Sequence, residues 1–132
     1  MKKIIPYHLY WFVLLITTFI ISLSVSWTLL ASVNFAYPLL HDYTGIDENI
    51  ERHAPFNRIK RNFNQSTREE RFQLFNGIVE SIQQQGEGLE ELVYHTKSGK
   101  ETRLLTAAEV VHLRDVAGLY GKLMQGVFVT IF

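Results

Sequence analysis

No Asp, Glu, Lys or Arg occurs between Lys3 and Asp42, and that gap decides most of what this chain can fold into. Within it, Leu9 to Val33 reads LYWFVLLITTFIISLSVSWTLLASV. A helix rises ~1.5 Å per residue and the hydrocarbon core of a bilayer is ~30 Å thick, so roughly 20 such residues cross it. The run predicts a transmembrane helix over residues 9–36. Tyr7, Tyr10 and Trp11 at one end, and Trp27, Phe35 and Tyr37 at the other, suit the two interfacial belts. Pro38 predicts the stop on the far side. A cleaved signal peptide would have a shorter apolar core, ~7–15 residues, and a small-x-small exit. Asn34-Phe35-Ala36-Tyr37 is a poor match to such an exit. Lys2 and Lys3 precede the run, so the positive-inside rule places residues 1–8 in the cytoplasm and the body of the chain outside.

All 13 acidic residues fall between Asp42 and Asp115, against 10 basic ones, a net charge of −3 for that segment. The balance leaves no electrostatic footprint for nucleic acid. The chain has no cysteine, which excludes disulfides, thiol nucleophiles, Cys-based zinc sites and anchoring through a lipidated cysteine of its own. The resulting fold class is membrane α-helical with a small α+β extracytoplasmic domain over residues 37–115.

Residues 41–66 read as irregular, punctuated by Gly45, Pro55 and several Asn, with only Phe56, Ile59 and Phe63 suited to burial. Arg58, Lys60, Arg61, Arg68 and Arg71 form a basic stretch interleaved with Phe56, Phe63 and Phe72. It reads as a solvated face or a contact with anionic lipid headgroups. Ser66-Thr67-Arg68-Glu69 predicts a capping box with Ser66 at the N-cap. The helix after it carries Phe72, Phe75, Val79 and Ile82 on one stripe, with Ile78 alongside, and stops at Gly86-Glu87-Gly88. Two short strands, Leu92–Thr96 and Glu101–Leu105, then flank a turn in which Gly99 supplies positive φ.

Thr106-Ala107-Ala108-Glu109 predicts a second capping box. The helix it opens is amphipathic for two turns and then apolar apart from Lys122, which predicts the start of a second membrane segment over residues 116–132. The uncharged tail from Leu123 to Phe132 is shorter than a span, so the chain reads as the N-terminal portion of a longer protein.

Glu109, His112 and Asp115 recur at intervals of three on this helix and so share one flank. A carboxylate one turn from an imidazole can fix its tautomer and raise its basicity, as a general base requires. The competing reading is structural: Glu109 serves the cap and Asp115 is solvated. His8, His41, His53 and His95 are ordinary interfacial, loop or strand residues. No G-x-S-x-G, phosphate loop or HExxH occurs, and nothing implies a cofactor or a metal.

With its N-terminal membrane helix, outer domain and LLTAAEVVHLRDVAGLY before a second apolar segment, the chain resembles the lipoprotein intramolecular transacylase family. The resemblance covers most of the chain, and its specific part is E-x-x-H-x-x-D-V, matched here by Glu109, His112, Asp115 and Val116. It implies a four-helix protein of the bacterial inner (plasma) membrane. The implied activity is an acyltransferase that moves an acyl chain from the diacylglyceryl group of a lipoprotein to its N-terminal cysteine amine. His112 matches one of two acid–base histidines, and the second lies in the family's later half. None of His8, His41, His53 and His95 matches that second position. The implied partners are membrane lipids and bacterial lipoproteins, and the oligomeric state is left open. The alternative from a different class is a non-catalytic membrane-anchored module that docks a partner protein through Phe72, Phe75 and Val79.

Overall fold

The computed structural model describes residues 6–60 and 62–131. Most of the expected tail at residues 1–8, Arg61 and Phe132 therefore lie outside the described residues. Helix α1 spans Tyr7–Ser32, beginning before Leu9 and ending short of Ala36. Ser24 Oγ and Thr28 Oγ1 donate to the carbonyls of Ile20 and Ser24, each at 2.9 Å, so neither interrupts an otherwise apolar helix. Among the described residues it is the one helix long and apolar enough to cross a membrane.

The chain leaves α1 through a left-handed turn. Asn34, Phe35 and Ala36 hold φ of 52°, 52° and 53°, a region that costs an L-residue about 1–2 kcal/mol each. Phe35 meets the Trp27 indole edge-on, with ring centroids 5.2 Å apart, which ties the turn to the end of α1. At Ala36 relief of the left-handed penalty outweighs the roughly 0.4–1 kcal/mol of extra chain entropy that glycine brings to the unfolded state. Ala36→Gly is therefore expected to raise the unfolding free energy slightly, by about half a kcal/mol, and the midpoint with it, whereas Ala36→Val lowers both. A lower midpoint for the glycine variant would show that the turn is unstrained.

Residues 41–56 are largely helical rather than irregular, and the stretch from Asn57 to Asn62 lacks a regular element among the described residues. Helix α2 spans Tyr37–Tyr43 and α3 spans Ile46–His53, followed by single 3₁₀ turns at Ala54–Phe56 and Phe63–Gln65. Pro38 sits in the first turn of α2, where its missing N–H costs nothing, so it opens a helix rather than stopping one. His53 ends α3 rather than lying in a loop. The expected core residues of this stretch are mostly outside: Phe56 is 84% and Ile59 68% exposed. Phe63 alone turns inward, edge-on to Tyr94 at 5.1 Å.

Helix α4 spans Arg68–Gln83 and is capped by Thr67, whose Oγ1 accepts from the Glu70 N–H at 3.1 Å. The cap is thus one residue later than the Ser66 box. Both Ser66-x-x-Glu69 and Thr67-x-x-Glu70 fit the pattern, but Ser66 is drawn away to donate to the Phe63 carbonyl and to accept from Arg71 Nε. Strands β1 (Val93–His95) and β2 (Glu101–Arg103) pair antiparallel, with Tyr94 opposite Thr102. Gly99 holds φ +76° in their turn. A two-stranded hairpin is marginal in water by itself, and this one packs on α4: Leu74, Tyr94 and Leu104 form the buried centre, with Phe63, Ile78, Leu92 and Leu105 around it.

Helix α5 spans Ala107–Ile131 without interruption. It first packs on α4 and then on α1. Gly86, just past α4, lies so close that a Cβ there would meet Arg114 Cγ at 2.7 Å. Farther along, Tyr120 lies 5.4 Å from Trp27, ring centre to ring centre. The stripe Phe72, Phe75 and Val79 is used inside the fold. Tyr37 stacks on Phe75 at 4.2 Å and meets Phe72 edge-on, while Val79 is buried. Much of this stripe is therefore engaged in packing within the domain.

Candidate functional site

The Thr106 box forms as read. Thr106 N–H donates to Glu109 Oε2 at 2.8 Å, and the Glu109 N–H donates to Thr106 Oγ1 at 3.3 Å, so two otherwise orphaned donors at the start of α5 are satisfied reciprocally. The other oxygen of Glu109 accepts from Lys60 Nζ at 2.8 Å. The Lys60 ammonium, then the Thr106 N–H, hold this carboxyl below its ordinary value of 4.5. Glu109 therefore locks the 54–60 loop to the α5 N-terminus. Its carboxylate is committed there and makes no hydrogen bond to His112.

His112 and Asp115 follow on the exposed side of α5. Among the described residues neither forms an ion pair or a side-chain hydrogen bond. Val111 and Leu119 on the same side are also exposed, so along this flank α5 passes from polar to apolar surface within about two turns. The spacing thus brings the trio onto one flank but couples no carboxylate to the imidazole. What the arrangement offers is an accessible ring, free to exchange a proton with whatever docks against it.

A second constellation, which sequence spacing does not reveal, lies between α2, α3 and α4. His41 is 1% exposed, edge-on to Phe72 at 5.1 Å and to Tyr37 at 5.6 Å. Its Nε2 is 3.3 Å from Asp47 Oδ1 and its Nδ1 3.9 Å from Asp42 Oδ1, yet neither ring nitrogen makes a hydrogen bond among the described residues. Both carboxylates are held by arginines. Arg71 pairs with Asp47, and Arg68, lying 5.0 Å over the Phe72 ring, pairs with Asp42. Arg71, buried rather than solvated, also donates to Ser66 Oγ, the Ser66 carbonyl and the Asn64 carbonyl. The His41 ring has no exposed edge for a substrate, and this network works as the clamp of the domain.

The third histidine cluster is at the surface. His95 Nδ1 lies 2.9 Å from Glu70 Oε1 and its Nε2 3.5 Å from Glu101 Oε1, and the His95 N–H also donates to Glu70. The hydrogen bond to Glu70, then the charges of Glu70 and Glu101, raise the imidazole above 6.5. Partial burial pushes the Glu70 carboxyl up, but the bonds from the His95 ring and backbone outweigh it, and the net displacement is below 4.5. Because the His95 value is raised in the fold, its contribution is complete below about 6.5 and fades as pH rises through the folded value. Because the Glu70 value is lowered, its contribution is complete above about 4.5 and fades as pH falls through the folded value. Attachment of the hairpin to α4 is therefore expected to be tightest between these limits. Amide exchange at Tyr94 and Thr102, measured from pH 4 to 9 and corrected for intrinsic rates, should show a protection maximum inside that window. His95→Gln should remove its alkaline edge; an unchanged alkaline edge in that variant would reject the assignment.

No family model, curated protein or solved structure matches the chain.

Proposed function

We propose that this is a membrane-anchored acyl-transfer protein in which His112 exchanges protons at the boundary between lipid and water. The observation that carries the reading is the position of His112. It is the exposed, unbonded titratable ring on α5, eight residues before Tyr120, which packs on Trp27 near the outer end of α1. Eight residues correspond to at most about 12 Å along the helix axis. With α1 across the bilayer and Trp27 in its interfacial belt, His112 stands at or just above the headgroups. The ester carbonyls of membrane-anchored lipids lie next to that layer.

In this reading residues 1–8 are cytoplasmic, α1 crosses the bacterial inner membrane, and the domain over residues 37–115 lies outside. From about Val116, α5 descends beside α1 as the second membrane segment. The substrate is a lipoprotein whose N-terminal cysteine carries a diacylglyceryl group. The amine of that cysteine attacks an ester carbonyl of its own lipid. The N–C bond forms, the C–O bond breaks, and the acyl chain passes to nitrogen. His112 takes the proton shed by the amine and returns it to the departing glycerol oxygen. Asp115, one turn on, stabilises the imidazolium through water, and Glu109 holds the start of the helix in place. Amine and ester belong to one molecule, so correct orientation supplies much of the acceleration, on the order of 7–11 kcal/mol.

The test is mass spectrometry of lipoprotein N-terminal peptides from bacteria that overproduce the protein from its natural gene. The expected product carries one ester-linked and one amide-linked acyl chain at the cysteine. Peptides that keep both ester chains and a free amine, with the protein present in the membrane, would overturn the activity.

A further inference from the structure

The charge-free sequence is longer than the span. It continues past the end of α1 at Ser32 to His41, and this surplus forms the left-handed turn and most of α2. Helix α2 is two-faced. Tyr37 and His41, one turn apart, point into the aromatic cluster with Phe72 and Phe75. Leu39 and Tyr43, also one turn apart, point away from the protein with Leu40 between them; Leu39 is 59% and Tyr43 83% exposed. Val33, at the exit from α1, is exposed as well.

We infer that the outer face of α2 lies in the bilayer interface, with Leu39, Leu40 and Tyr43 set among lipid headgroups and upper acyl chains. The inference rests on α1 spanning the membrane. Three observations select lipid as the occupant. Exposed apolar side chains follow one another along the chain from the end of α1 into α2, Val33 and then Leu39 and Leu40, so the medium that covers the end of one helix adjoins the other. Leucine with tyrosine is the composition of an interfacial face, apolar bodies with one polar tip. The acidic residue on α2, Asp42, is paired with Arg68, so no bare carboxylate is pressed toward anionic headgroups. Functionally, α2 then acts as an outrigger that fixes the height of the domain, and so of His112, above the hydrocarbon.

Because the chain has no cysteine, single spin labels report this directly. Leu39→Cys, Tyr43→Cys, Leu15→Cys and Glu48→Cys change exposed side chains, each labelled in the full chain reconstituted into phosphatidylcholine vesicles containing phosphatidylglycerol. Collision of each label with oxygen, which concentrates in lipid, is compared with collision with a water-soluble nickel chelate. The expected oxygen-to-nickel ratio is highest at 15 and lowest at 48. At 39 and 43 it lies between them, several-fold above the value at 48. Labels at 39 and 43 that match 48, while 15 remains lipid-exposed, would overturn the inference and leave the span intact. A nickel-accessible label at 15 would overturn the span and the inference together. Immobilised labels at 39 and 43 that neither reagent reaches would mean that protein covers the face, which also overturns it.

Discussion

Replacing Arg71 with alanine is expected to cost about 3 kcal/mol of stability, the largest single loss among the polar side chains of this domain. Arg71 is 6% exposed and joins three parts of the chain: Asp47 on α3, and the Asn64 and Ser66 carbonyls in the connection before α4. Removing one partner of a buried pair typically costs about 3–5 kcal/mol because the other is left uncompensated. Here Asp47 is half-exposed and can recover water, which puts the loss at the lower end. The two carbonyls and the Ser66 hydroxyl lose donors in a buried setting, which adds to it. Small domains hold only about 5–15 kcal/mol in all, so α2 and α3 should detach from α4 well before the hairpin core melts. Urea unfolding of the reconstituted protein, followed by amide exchange in α3 and α4, measures this. Arg71→Lys keeps the charge but not the planar fork, and its loss should fall between those of alanine and the native residue. An alanine variant with native exchange rates in α3 would show that the network contributes nothing.

His112→Ala should abolish acyl transfer and leave the protein otherwise intact. A positioned acid–base group contributes roughly 10²–10⁴-fold in rate, and an exposed side chain without hydrogen bonds contributes less than about 0.5 kcal/mol to stability. The expected result is therefore a native amount of protein in the membrane with lipoproteins that keep their free amine. Glu109→Gln separates the two roles on this flank. It removes the ion pair to Lys60 and weakens the α5 cap, so its effect should appear as lower stability, with the rate per folded molecule much less changed. Transfer that continues unabated in His112→Ala would remove the residue from the mechanism. Equal loss in both variants, with both proteins folded, would reassign Glu109 to the chemistry.

The parts of this fold that could be read from sequence are those whose cause is local. The charge-free run specifies α1, the Thr106 box specifies the start of α5, and Lys97-Ser98-Gly99-Lys100 specifies the hairpin turn. What escaped depends on partners far along the chain. Arg71 and His41 look like ordinary surface residues until Asp47 arrives from another helix. Helix α3 escaped because its apolar positions are few, Ile46 and Ile50, too sparse for a period to show. Phe56 and Ile59 read as core by composition, but Phe56 closes the 3₁₀ turn at Ala54–Phe56, and the loop after it is held by the Asn57 side chain, which accepts from the Ile59 and Lys60 N–H groups. Both apolar side chains stay exposed beside that locally held loop. Of the flank at residues 109–115, spacing gave the geometry of the three side chains but not the diversion of Glu109 to Lys60, which lies in a different stretch of chain.

The left-handed turn at Asn34–Ala36 also sets an orientation. A relaxed linker would let α1 swivel about its own axis beneath the domain, and its small buried residues, Ser24 and Ala31, would sample every direction before meeting another helix. Three consecutive residues confined to one narrow backbone basin allow no such swivel. The azimuth of α1 is thereby fixed by the same packing that seats Tyr37 on Phe75. Where α5 packs beside it, Trp27 already faces Tyr120. Pairing of the two long helices then requires a translation but no rotational search.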